Sequence, residues 1–146
     1  MMVPIIAGGK FFWNLSGNVG TASPNRPDDV QLVQLGYVCA AGGPKFAAAL
    51  RVVFGAVVPG APYTGQEADP LTLAIRGHQT IRGGVQDGHV SVLTNLAGLT
   101  YDGEHTFMMI ALNTQMRHRL VGYFPRLDGH PRCPPLVRAA VNAACT

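Results

Sequence analysis

The sequence is poor in charge. Only 13% of its 146 residues are Asp, Glu, Lys or Arg, roughly half the usual share, while 47% are apolar. A surface with so few charges is neutral or covered, which favours a partner or a homo-oligomer. A basic stripe is missing as well. Eleven Lys and Arg stand against eight Asp and Glu, for a net charge of +3, and they are scattered apart from the tight run Arg117, His118 and Arg119. Nucleic-acid binders gather Lys and Arg on one face among aromatics, so no nucleic-acid partner is expected. The mild positive charge suits a polyanion such as a cell wall or a membrane surface.

Cysteine is scarce. Cys39, Cys133 and Cys145 are odd in number and lack a C-x-x-C spacing, which argues against a zinc knuckle or a full disulfide framework. They read as free thiols, most of them buried, with a Cys133–Cys145 bridge across the last helix as the pairing open to an oxidising compartment. Serine is equally rare, and none of Ser16, Ser23 and Ser91 sits in a Gly-x-Ser-x-Gly elbow. Cys133, just ahead of Pro134-Pro135 and near His130, is the one cysteine placed to act as a nucleophile.

Long hydrophobic runs are absent too. Met1 to Gly9 is apolar but has no basic residue ahead of it and is too short for a signal peptide's apolar region or a membrane span. The expectation is a chain with no transmembrane segment, made in the cytoplasm, whose delivery to the periplasm or exterior takes a non-classical route. Five histidines invite a metal hypothesis, yet no His-x-x-x-His or His-Glu-x-x-His occurs. His89, His105 and His130 instead follow Asp-Gly turns, so neither a metal nor a cofactor is expected.

What the chain does have is helix punctuation. Asn25-Arg26-Pro27-Asp28-Asp29 places a cap, a proline at the first helical position and negative charge against the helix dipole. Val30, Val33, Gln34 and Tyr37 then share a face, predicting a helix from Pro27 to Ala40. A second helix is predicted from Pro44 through Phe46, Leu50, Val53 and Phe54, followed by a Gly/Pro-rich loop over 55–66 that is the natural binding edge. Asp69-Pro70 opens a third, with Leu71, Ala74, Ile75, His78 and Gln79 on one side. Val90, Val92 and Leu93 suggest a short strand. A long apolar helix carries Phe107 to Leu120, and Pro134-Pro135 opens a last one with Leu136, Val137, Ala140, Val141 and Ala144 inward.

The fold class is thus mainly α: a compact bundle of about five helices with Gly/Pro-rich loops and at most a short β-hairpin. It forms a single domain, 1–146, with an extended N-terminal arm over 1–22, a core over 23–100 and a C-terminal helical extension over 101–146. The arm's Phe11, Phe12 and Trp13 must lie on the chain's own core or on a neighbouring subunit.

Val30-Gln31-Leu32-Val33-Gln34, Ala74-Ile75-Arg76-Gly77-His78-Gln79 and Asp87-Gly88-His89-Val90 together resemble the peptidoglycan-binding-domain-like helical module over residues 19–92. In that family a first helix carries Val-x-x-Val/Leu-Gln and a later one Ala-Ile/Val-x-x-Phe-Gln. Versions with Asn-x-Pro-x-Asp-Val ahead of the first helix are similar to Asn25 to Val30. The family's Phe is His78 here, its Thr is Leu71, and the stretch over 42–67 is longer than its linker. The resemblance implies a non-catalytic binding or docking module, in a secreted or phage-tail-like assembly, whose partner is peptidoglycan or another protein. Tyr37, Tyr63, His78, Gln79 and Asp87, polar or amphipathic groups in and beside the matching helices, are the expected ligand-binding residues. Two alternatives stand beside it: a homo-oligomer assembled through the N-terminal arm, and a small cell-wall hydrolase or toxin using Asp102, Glu104, His105 or Cys133.

Overall fold

A computed structural model describes residues 1–105 and 107–145, with 104 and 105 by backbone alone. Five α-helices, three short 3-10 helices and two antiparallel strand pairs make up its regular structure among these residues, a mainly α architecture.

Helix α1 (Pro27–Ala41) is the axis. Its proline start and acidic first turn are as the sequence predicts, although Arg26 at the N-cap makes no side-chain bond. The burial is not. One inward face is expected, whereas every residue from Asp29 to Ala40 except half-buried Gln31 is buried, because α1 is covered on several sides by α4 (Met108–Arg119), α2 (Ala48–Gly55) and α5 (Pro135–Ala144). Gly36 permits the approach of α4, since a Cβ there would lie 3.0 Å from Leu112 Cβ. Asp29 has a role that the sequence pattern does not give. Beyond placing negative charge in the first turn it is fully buried, and its carboxylate accepts from Ser16 N–H (3.0 Å), Ser16 Oγ (2.7 Å) and Gly17 N–H (3.1 Å).

Two other helices depart from expectation. Residues 44–47 stay non-helical, so α2 begins at Ala48, with Phe46 buried ahead of it. In α5 Val137, Ala140 and Val141 face inward while Leu136 and Ala144 are exposed. Helix α3 (Pro70–Arg82) follows its predicted pattern, burying Leu71, Ala74, Ile75, His78 and Gln79.

The N-terminal segment is a β-hairpin, β1 (Val3–Ala7) against β2 (Lys10–Asn14). Gly8 and Gly9, at φ of 57° and 75°, supply the two left-handed positions that a tight hairpin turn needs. Phe12 and Trp13 are completely buried inside the chain. The outer edge of β2 is closed by a side chain: fully buried Asn113 of α4 bonds both backbone groups of Trp13. Phe12 and Trp13 therefore serve this chain's own core, while Phe11 is half-buried and Val3 and Ile6 of the hairpin are exposed.

The second pair joins β3 (Val19–Gly20) to β4 (His89–Val90), with Val19 opposite Val90 and Gly20 opposite His89. It ties the beginning of the 19–92 stretch to its end, with α1, α2 and α3 between. Among the described residues no helix is long and apolar enough to cross a membrane.

Candidate functional site: the cleft at the 87–89 turn

Helix α3 sets the geometry. Asp69 caps it by accepting from Leu71 N–H at 2.9 Å, and the helical repeat then carries His78 and Gln79 toward the interior on neighbouring sides of the helix. Gln79 is buried and its amide is used at both ends. Nε2 donates to Asp87 Oδ1 (2.9 Å) and to the His89 carbonyl (3.1 Å), while Oε1 accepts from Gly88 N–H (2.9 Å). This clamp fixes the turn that leads into β4.

Asp87 completes the clamp from the other side. Its Oδ1 also accepts from His89 N–H at 3.1 Å, and Oδ2 lies 3.1 Å from His89 Nε2. Burial alone would raise the Asp87 carboxyl, but the His89 N–H, the Gln79 amide and the nearby imidazole outweigh it and hold the group below its ordinary value. Asp87 thus stays an anion and orients the His89 ring. Beside this network lies a cleft of about 190 Å³ lined by Gln79, Asp87 and His89 together with Arg82, Ser91 and Met108.

The expected ligand-binding residues divide into three groups. Gln79 and Asp87 meet at this cleft. Tyr37 and His78 do not line it and are core groups: the Tyr37 hydroxyl bonds His78 Nδ1 at 3.0 Å, both residues are buried, and the rings of Phe46 and Phe54 stand against the imidazole at 5.4 and 6.2 Å. Burial pushes the Tyr37 hydroxyl well above its usual range. Burial, followed by the charges of Arg82 and Lys45, pushes His78 down to about 4, so His78 is a neutral hydrogen-bonding ring at physiological pH. Tyr63 stands apart, its hydroxyl 2.7 Å from Thr72 Oγ1.

The candidate nucleophiles are held in structural roles. Cys133 is buried with Sγ 3.7 Å from the Pro134 carbonyl, and burial pushes its thiol up to about 11. His130 Nδ1 accepts from Arg132 N–H at 3.0 Å. Cys39 is likewise buried and pushed up to about 12, chiefly by burial. A thiol so far above neutral pH carries almost no thiolate. All three cysteines are free, so the 133–145 bridge is not formed. Ser91 shares the cleft with Asp87 and His89, but among the described residues no hydrogen bond joins it to the imidazole, as a base-activated hydroxyl would require. Asp102 is exposed, and the side chains of Glu104 and His105 lie outside the described residues. Among the described residues no cluster of three or more His, Cys, Asp or Glu is placed to hold a metal ion.

Sequence reasoning passed over Arg82, His89 and Ser91 as cleft residues. A signal for two of them was present, because His89 and Ser91 lie two positions apart at the start of the short strand and so fall on one side of it. Arg82 reads in sequence as an ordinary basic residue in the last turn of α3. Comparison with known proteins gives no match: no protein-family model, no curated protein and no solved structure matches this chain.

Proposed function

We propose that the protein is a non-catalytic binding or docking module, built on a helical unit like that of peptidoglycan-binding domains and serving a secreted or phage-tail-like assembly. Its partner on this reading is cell-wall peptidoglycan or another protein of the assembly. The observation that carries the reading is the pairing of Val19–Gly20 with His89–Val90. It closes residues 19–92, the stretch that resembles the family, into one unit held around α1 and α3. The Gln79 clamp supports it further, since a fixed turn beside a cleft presents polar groups without the entropic cost of ordering a loop.

Purified protein should pellet with isolated peptidoglycan sacculi at low salt, and Arg82→Gln together with Ser91→Ala should reduce the bound fraction about tenfold if the cleft carries the contact. Absence of pelleting at low salt would remove the wall as partner. Loss of a sugar-polymer substrate or release of soluble fragments during the incubation would replace binding by hydrolysis.

A further inference from the structure

A second groove, of about 530 Å³, lies between the hairpin and the C-terminal end of α4. Lys10 comes to it from β2, Arg117 and His118 from α4, and Phe11, Tyr101 and Phe124 form its apolar wall. Among the described residues no carboxylate lines it. Lys10 and Arg117 form no ion pair among the described residues. Both converge on one ring: Arg117 Cζ lies 4.7 Å and Lys10 Nζ 5.9 Å from the Tyr101 centroid. That ring is itself fixed, its hydroxyl bonded to the Phe11 carbonyl and one face stacked on Phe12 at 4.7 Å. Complementing the dipole of α4 accounts for Arg117, but not for a lysine brought from the hairpin to the same ring.

We infer that this groove binds an acidic peptide segment of a partner protein, with carboxylates meeting Lys10, Arg117 and His118 and an apolar side chain lying on Phe11 and Phe124. Charge complementarity selects an anion. The state of the rings selects a peptide over single-stranded nucleic acid. Base stacking needs open aromatic faces along a longer cationic track, whereas here Phe11 meets Trp13 and Phe124 edge to face at 5.2 and 5.9 Å and Tyr101 is stacked on Phe12. Such paired rings offer edges and flanks, which suit aliphatic or aromatic side chains. The inference is independent of wall binding, because none of these groups borders the cleft at Asp87.

The test is fluorescence anisotropy with a labelled heptapeptide, Gly-Glu-Phe-Glu-Leu-Glu-Gly, and its counterpart with Gln in place of Glu. The acidic peptide should bind at low salt, lose affinity on going to about 0.5 M NaCl, and exceed the Gln peptide by about tenfold or more. Lys10→Gln and Arg117→Gln should each weaken it about fivefold or more. Lys10 is exposed on the hairpin, so its variant folds and keeps the test decisive even if Arg117→Gln loosens Tyr101. Equal binding of the two peptides, or no effect of Lys10→Gln, would overturn the inference. So would tighter binding of an eight-nucleotide oligothymidylate at the same salt, which would assign the groove to nucleic acid. The double variant should still pellet with sacculi if the wild type does; loss of pelleting would make the wall, and not a protein, the source of the carboxylates.

Discussion

Asn113 and Trp13, a hundred positions apart, exchange two hydrogen bonds: Trp13 N–H donates to Asn113 Oδ1 at 2.7 Å, and Asn113 Nδ2 donates to the Trp13 carbonyl at 2.8 Å. The same Nδ2 reaches the Met109 carbonyl at 2.8 Å. One amide side chain thus takes the place of a neighbouring strand. Asn113→Ala leaves both Trp13 backbone groups buried without these partners, and each such loss costs about 1–3 kcal/mol. Urea unfolding should show a loss of about 2–4 kcal/mol; a loss below about 1 kcal/mol would mean that the hairpin finds other partners.

His78 makes stability depend on pH. Its folded value of about 4 lies below the ordinary 6.5, so the unfolded chain takes up the proton first. The contribution is complete above pH 6.5, is lost as pH falls from there toward 4, and levels off below 4. The full loss is roughly 3 kcal/mol. His78→Gln retains an acceptor for the Tyr37 hydroxyl and should flatten this part of the profile. Identical wild-type and variant slopes in denaturant titrations between pH 4 and 6.5 would exclude the effect.

Gly20 cannot bear a side chain. At φ 131° a Cβ would sit 2.2 Å from the Gly88 carbonyl oxygen and 2.6 Å from His89 Cα. Gly20→Ala must therefore break the β3–β4 pairing or shift it, at a cost of about 3 kcal/mol or more. The predicted readout is a clear drop in melting temperature, with faster hydrogen exchange at Thr21 N–H, which bonds the Gly88 carbonyl at 3.0 Å. Wild-type exchange at Thr21 in the variant would contradict this account.

Thiol chemistry should separate the three cysteines. Cys145 is exposed, while Cys39 and Cys133 are buried and raised to about 12 and about 11. Titration of the native protein with an aromatic disulfide reagent near neutral pH should modify Cys145 rapidly and the other two after denaturation. Rapid native reaction at Cys133 would revive it as a nucleophile.

Helix placement was legible wherever punctuation and periodicity agreed, as in α3, whose Asp-Pro start and inward residues are those observed. Depth of burial was not. Asp29 reads only as negative charge in a first turn, because the donors that hold it, Ser16 and Gly17, belong to a segment whose path no local rule gives. The arm read as aromatic and glycine-punctuated, and its two destinations could not be separated without knowing that Asn113 would cap its edge. In the site, Gln79 and Asp87, expected as polar groups in and beside the helices of the resemblance, meet at one cleft. Tyr37 and His78 have the same polarity but satisfy each other inside an aromatic cluster, and pairing across forty-one positions leaves no mark in either local sequence.

The Asn113–Trp13 link also orders events in time. During synthesis the hairpin residues emerge before α4, yet the groups that cover Phe12 and Trp13 and complete the bonding of Trp13 come from α4 and from the Pro125 carbonyl, which accepts from Trp13 Nε1 at 2.8 Å. Contacts of such long sequence separation close slowly. A nascent chain halted before residue 113 carries an uncovered aromatic hairpin, the kind of species that chaperones hold and that aggregates when they do not. Truncation on the C-terminal side should therefore harm solubility out of proportion to the residues removed.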